Sequence, residues 1–267
     1  MKKWFVTFII LISIVSCKEN SFTGKITSKD ENIELVKQLT EQVKNNPDSA
    51  PVRMRLVNAL DSLRQYDAAL AQVDSLIKRD SLNNGLWFAK GQLHESIKDT
   101  LGAIKSFEKA VSIYASVESQ LSLANLLAET KNKKSLAICN AVQRVAMDRT
   151  TEAHCDFIAG VYFARTGEGT KALLLFDRAI NNNYTYMEAY MEKGFIYYDQ
   201  KKYKEALAVF DRAITINNQY ADAYYWKAKT NEAAGDKQEA ITNYQRSLGM
   251  DKGLKEARAA LERLEGN

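Results

Sequence analysis

The sequence predicts an all-α protein that is built from repeated pairs of helices. The chain of 267 residues contains only 12 Gly and 2 Pro, too few for the many tight turns of an all-β fold. Apolar residues make up 46% of the chain and charged residues 26%, which is the ordinary balance of a folded globular protein. An internal period of 34 residues is typical of stacked helical repeats.

Small and aromatic residues at linked positions define this period. Gly160 and Gly194 lie 34 positions apart, and Ala228 follows after another 34. Each is followed by an alanine twelve positions later and by an aromatic residue four positions beyond that. Glycine inside a helix costs about 1 kcal/mol relative to alanine, so its recurrence indicates a packing role. The residues expected to let helices approach, or to fill the space between them, are Gly91, Gly160, Gly194, Ala103, Ala172, Ala206, Ala240, Phe107, Phe176 and Phe210.

This pattern resembles the tetratricopeptide repeat, a helix-turn-helix unit of about 34 residues. The resemblance implies a right-handed α-solenoid of about six repeats over residues 50–252. Because no repeat buries its apolar face alone, the two ends need caps. Amphipathic segments predict a capping helix over residues 31–45 and another over residues 253–265, which completes a repeat domain over residues 31–267. The proline that usually closes each repeat stands in the right place only once, as Pro47.

The start of the chain predicts an export signal. Two lysines precede an apolar run over residues 4–15, which is too short to cross a bilayer as a helix. Residues 1–16 then lead into Cys17, an arrangement that resembles the lipobox of bacterial lipoproteins. The resemblance implies that residues 17–30 are a lipidated cysteine and a flexible tether. With Lys18 rather than aspartate after the cysteine, it also implies an envelope protein at the outer membrane that faces the periplasm.

Nothing in the sequence points to catalysis, a cofactor, a metal ion or nucleic acid. The only histidines are His94 and His154, and the segment from His94 misses the zinc motif H-E-x-x-H because Lys98 stands at its end. The balance of 37 basic and 33 acidic residues is too even for a nucleic-acid footprint. Cys139 and Cys155 lie in adjacent predicted helices, and the sequence leaves open whether they pair.

The first helix of each pair lines a concave groove in proteins of the family that this chain resembles. The matching positions here predict a groove that is mixed in its amino half and apolar and aromatic in its carboxyl half. Aromatic grooves of this kind bind peptides or helices, although several of the side chains could instead fill the interior. The predicted groove residues are Phe88, Leu126, Phe157, Val161, Met191, Phe195, Tyr198, Tyr225 and Lys229.

These observations predict a lipid-anchored adaptor or scaffold that faces the periplasm and binds a protein or peptide in its groove. Its task would be envelope assembly or the localisation of a partner. The alternative is a lipoprotein of an uptake system that binds a small molecule or glycan. That alternative needs carboxylate and amide groups beside stacking rings, and the only hint is Glu188, Asn231 and Glu232 near Tyr225 and Trp226.

Overall fold

The computed structural model describes residues 29–146 and 148–266, and every regular element in this part is an α-helix. The predicted signal segment, Cys17 and most of the predicted tether lie outside the described residues. None of the described helices is long and apolar enough to cross a membrane. The helices are α1 (Lys29–Asn45), α2 (Ala50–Ser62), α3 (Tyr66–Ile77), α4 (Asn84–Ser96), α5 (Thr100–Ile113), α6 (Val117–Glu129), α7 (Lys134–Val145), α8 (Arg149–Thr166), α9 (Gly169–Asn182), α10 (Met187–Asp199), α11 (Tyr203–Ile216), α12 (Ala221–Ala234), α13 (Lys237–Met250) and α14 (Lys255–Glu265).

The helices form two compact units, with the division inside α6 between Leu123 and Ala124. In the first unit, α1 packs on α2, and the core continues through α3 to Leu93 of α4. In the second unit, each helix from α7 to α14 packs on the next one along the chain. The predicted all-α fold of helix-turn-helix repeats is confirmed.

Short turns separate the two helices of each pair, and each turn contains one residue in the left-handed region. Gly167 and Gly235 occupy this position at φ 88° and 91° without a steric penalty. The other turns place a basic residue there, at φ values of about 60°, which costs more because of the Cβ atom. These residues are Arg64, Lys98, Lys131 and Lys201.

An aromatic ring of the second helix packs directly on the backbone of the first helix in three of the pairs. A Cβ atom built on Gly160 would lie 2.6 Å from Cε1 of Phe176, closer than carbon atoms approach without a shift. The rings of Phe107 and Phe210 cover Gly91 and Gly194 in the same way, and both rings are fully buried. The recurring glycines therefore permit an approach of helices that alanine would prevent.

A repeated ion pair joins the second helix of one pair to the first helix of the next. The lysine comes one position before the small packing residue, and its side chain is about four-fifths buried. Its Nζ atom contacts an aspartate sixteen positions earlier in the chain. The pairs are Lys90–Asp74 at 2.6 Å, Lys193–Asp177 at 2.5 Å and Lys227–Asp211 at 2.6 Å.

We expect Gly160→Ala to lower the free energy of unfolding by about 1–3 kcal/mol, because its Cβ overlaps the Phe176 ring. The matched control is Gly249→Ala, at a helical glycine with no atom within 4 Å of the added Cβ. This change should be neutral or should stabilise by up to about 1 kcal/mol, because alanine favours helix. Urea unfolding followed by circular dichroism measures both values, and equal effects would contradict the packing role of Gly160.

Candidate binding surface

Side chains of α10 and α12 form a cluster of rings around one lysine in the second unit. The Phe195 and Trp226 ring centroids lie 4.4 Å apart, and the Tyr198 ring meets Trp226 edge-on at 5.7 Å. The Tyr225 ring also meets Trp226 edge-on, with 5.8 Å between centroids. The Nζ atom of Lys229 lies 4.1 Å from the Trp226 centroid and 5.7 Å from the centroids of Tyr198 and Tyr225. We call Phe195, Tyr198, Tyr225, Trp226 and Lys229 the aromatic–lysine cluster.

The helix repeat brings these side chains together. Phe195 and Tyr198 are three positions apart on α10, and Lys229 follows Trp226 by three positions on α12, so each set shares one helix face. All five side chains are half-buried. They rest on deeper rings, since Phe195 contacts the fully buried Phe210 with 6.3 Å between centroids. The cluster is therefore held from below and reachable from outside.

Lys229 is the unusual cation of this surface. Burial lowers its pKa, and the charges of Asp199 and Glu232 partly oppose that shift. Lys193 and Lys227, which are buried to a similar degree, each contact an aspartate. Among the described residues, no carboxylate makes an ion pair with Lys229, so its ammonium group rests mainly on aromatic rings.

Two charged groups on or beside α10 and α12, Arg165 and Glu232, already have partners. Arg165 of α8 donates to both carboxylate oxygens of Glu129 and of Glu192, at distances of 2.8 to 3.0 Å. Burial lowers the pKa of Arg165, but these two carboxylates outweigh burial and raise it overall. Glu232 accepts from the Tyr244 hydroxyl at 3.0 Å and from Arg263 at 2.6 Å. Strong bidentate pairs of this kind leave little capacity for a ligand.

Three predicted groove residues do not lie on an open surface. Phe157, Val161 and Met191 are only 3%, 0% and 1% exposed, so the prediction that they line an accessible groove is wrong for this conformation. The Phe157 ring lies between Phe176 at 5.7 Å and Tyr186 at 4.9 Å, which explains its burial. These side chains belong to the core.

Of the remaining predicted groove residues, two lie apart from the aromatic–lysine cluster and four belong to it. Phe88 belongs to the first unit, where its half-buried ring lies 5.3 Å from Phe107. Leu126 is half-buried on α6. Phe195, Tyr198, Tyr225 and Lys229 are brought together, but around a residue that the groove positions do not include. That residue is Trp226, which contacts the other rings and Lys229. Its position three residues before Lys229, on the same helix face, is the sequence feature that could have indicated it.

The first unit contains one carboxyl group with a strongly altered pKa. Burial raises the pKa of Glu95 on α4 to about 7. His94, beside it in sequence, lies with Nδ1 2.9 Å from the Asp99 carboxylate. In the part of the chain that the structure describes, no group of three His, Cys, Asp or Glu side chains could hold a metal ion.

Comparison with family models identifies tetratricopeptide repeats in both units. Models described as TPR repeat or tetratricopeptide repeat match residues 54–118, 194–235 and 221–253. No curated protein matches the chain in sequence.

Solved structures share this fold at low sequence identity. A tetratricopeptide repeat protein from Parabacteroides merdae is 14% identical, with a TM-score of 0.75 over 90% of this chain and 94% of that one. PilW, described as a widely conserved type IV pilus biogenesis factor, is 19% identical, with a TM-score of 0.64 over 79% and 97%. Yeast Tom70 is 15% identical, with a TM-score of 0.59 over 89% and 58%. At these identities the likeness concerns the fold.

The raised pKa of Glu95 predicts a specific pH dependence of stability. Because the folded pKa of about 7 exceeds the ordinary value of 4.5, the folded state binds more protons between these values. The unfolding free energy contributed by this group should therefore fall by roughly 2–3 kcal/mol as pH rises from 4.5 to 7.5. Urea unfolding of the wild type and Glu95→Gln at both pH values measures the difference.

The control is Glu108→Gln, at an exposed glutamate of α5. The difference in unfolding free energy between this variant and the wild type should change little with pH. If the unfolding free energy of Glu95→Gln relative to the wild type also changes little with pH, the buried state of Glu95 is contradicted.

Proposed function

Because this chain is built from tetratricopeptide repeats, we propose that it is a non-catalytic adaptor that binds a protein or peptide through the aromatic–lysine cluster. The fold is typical of scaffolds for protein–protein interaction, and its proteins generally lack catalytic activity. The observation that carries the proposal is the cluster of reachable rings around Lys229. Aromatic side chains supported from below are the residues that commonly dominate binding energy at interfaces.

The geometry favours an extended or helical segment of a protein as the ligand. The cluster spans two neighbouring helices of successive repeats, so a segment that crosses both would contact several rings at once. Lys229 adds a charge requirement. An acidic group of the partner would offset the burial of an ammonium group that has no ion pair in the free protein.

The adaptor is also proposed to be anchored in the bacterial envelope through a lipidated Cys17. The support is the sequence of residues 1–17, which lie outside the described residues. Anchoring would confine the repeat domain to a membrane surface and raise the effective concentration of its partner there. Assembly of an envelope structure, or localisation of an envelope protein at the outer membrane, fits that arrangement.

The glycan-binding alternative has less support. It needs free carboxylate and amide groups beside the rings, but Glu232 is engaged by Tyr244 and Arg263. Asn231 is only 5% exposed. Glu232 and Asn231, two of the groups that could fix sugar hydroxyls, are thus engaged or buried, so the adaptor remains the preferred function.

Replacing Tyr198 and Trp226 by alanine should remove partner binding while the protein still folds. We expect the double variant to lose a selectively cross-linked envelope protein, because truncating such anchors commonly costs about 2 kcal/mol or more each, roughly 30-fold in affinity. Quantitative mass spectrometry of cross-linked cells identifies the partner, and calorimetry with the purified partner then gives Kd.

Lys229→Met should weaken binding by about tenfold and reduce its salt dependence.

The matched control for the rings is Tyr114→Ala/Tyr184→Ala, because these aromatic side chains are 66% and 69% exposed outside the cluster. The control for Lys229 is Lys237→Met, at an exposed lysine of α13. Circular dichroism verifies folding of each variant. Unchanged Kd for the Tyr198/Trp226 variant would place binding elsewhere. Saturable binding of a sugar without any protein partner would favour the alternative.

Replacing Cys17 by serine should release the protein from the membrane fraction. Without the thiol no diacyl group is attached, and residues 4–15 alone are too short to span the bilayer. Fractionation and intact mass measure the change, and Ser112→Ala, at an exposed serine of α5, is the matched control. A wild-type mass without added lipid would contradict the anchor.

A further inference from the structure

Two cysteines face each other where α7 meets α8. The helix α7 ends at Val145 and α8 begins at Arg149, so a short connection joins two packed helices. Cys139 precedes the end of α7 by six positions, and Cys155 follows the start of α8 by six. In an antiparallel helix pair, residues at equal distances from the turn lie opposite each other.

The two side chains are in contact and are shielded from solvent. Cys139 is 2% exposed and Cys155 is 1% exposed. The two thiols form a hydrogen bond, and this contact together with burial raises the pKa of Cys139 far above its ordinary value. The hydrogen bond implies that the two thiols are close together, which a disulfide requires.

This junction lacks the lysine–aspartate ion pair that joins α9 to α10 and α11 to α12. One period before Asp177 and Lys193, the equivalent positions hold Gln143 and Ala159. Neither can form the lysine–aspartate contact. A disulfide would add a covalent link at a junction that does not have this ion pair.

We propose that Cys139 and Cys155 are oxidised to an intrachain disulfide that fastens α7 to α8. The proposal rests on the export proposed above, because disulfides persist in oxidising compartments such as the periplasm. It assigns a covalent modification to two residues that the adaptor function does not use.

The reaction needs a disulfide-bearing thiol oxidoreductase as the oxidant. One cysteine thiolate of this chain attacks the disulfide of the oxidoreductase and forms a mixed disulfide between the two proteins. The second cysteine thiolate then attacks the sulfur of the first, which closes the Cys139–Cys155 bond and expels the oxidoreductase thiolate. The chain loses two protons and two electrons, and the oxidoreductase is reduced to a dithiol.

The timing follows from the burial of the thiols. Thiolate is the attacking species, and the raised pKa of Cys139 keeps it protonated once the helices have packed. The bond therefore forms during folding, before α7 and α8 close over the sulfur atoms. In the finished fold the cystine is protected from reductants for the same reason.

A refolding experiment tests the proposal without reference to the compartment. Purified full-length protein is reduced and denatured, refolded with oxidised and reduced glutathione, quenched with acid, and its remaining thiols are alkylated in denaturant. We expect peptide mapping to find Cys139 linked to Cys155, in a species lighter by two hydrogens than the reduced chain. Alkylation of both Cys139 and Cys155, or glutathione adducts on both of them, would overturn the proposal.

The thermal unfolding midpoint gives a second readout. The oxidised protein should unfold about 5–10 °C above the reduced protein, because the bond closes a loop of about 15 residues. A Cys139→Ala/Cys155→Ala variant should show no such response to reductant. If this double variant folds poorly, the comparison of oxidised with reduced wild type still decides the question.

Thiol trapping in cells separates this proposal from the proposed function. Cells are treated with a membrane-permeant alkylating reagent before lysis, and the membrane and soluble fractions are mapped separately. A linked pair in the membrane fraction supports both proposals. Free Cys139 and Cys155 in the membrane fraction would overturn the disulfide and leave the adaptor standing. Protein that is absent from the membrane fraction would contradict the anchor, and the refolding result would then decide the disulfide.

Discussion

The contact between an aromatic ring and a bare helix backbone is the constraint on which the rest of this structure depends. Phe107, Phe176 and Phe210 each lie against a glycine of the preceding helix, at a distance that no Cβ atom allows. This contact sets how closely the two helices of a pair approach. Through Phe210, it also supports the partly exposed Phe195 ring. The aromatic–lysine cluster is thus a direct extension of the packing that forms the repeat.

Residues at equivalent positions of different repeats differ in exposure, and the residues around them account for the difference. Phe157 on α8 is enclosed because Tyr186, at the start of α10, covers its ring. On α12, the equivalent Tyr225 stays half-buried, with its ring 5.8 Å from that of Trp226. One repeat template therefore yields a closed core around α8 and a reachable aromatic surface across α10 and α12. Function in such a protein depends on where the template leaves side chains uncovered.

Polar contacts show where the structure is internally satisfied and where it is not. Arg165, Lys193 and Lys227 are all largely buried, and each has a carboxylate partner. Such groups stabilise the stack, since an unpaired buried charge is costly. Lys229 has rings in place of an ion pair, and under the proposed function a partner would supply the missing acidic group. The α7–α8 junction lacks the lysine–aspartate pair of the α9–α10 and α11–α12 junctions and contains a pair of buried thiols.

The sequence by itself determined the repeat, its period and the helical class, because linked small and aromatic positions are a local pattern that only stacked helix pairs use. It also indicated the residues that approach closely, since a helical glycine followed by an aromatic residue at a fixed spacing has a packing explanation. Tertiary structure alone decided which groove side chains remain reachable. Helical periodicity assigns Phe157, Val161 and Met191 to a helix face, but the covering residues come from other helices. The central place of Trp226 and the contact of Cys139 with Cys155 likewise depend on how neighbouring helices meet, and no single helix contains that information.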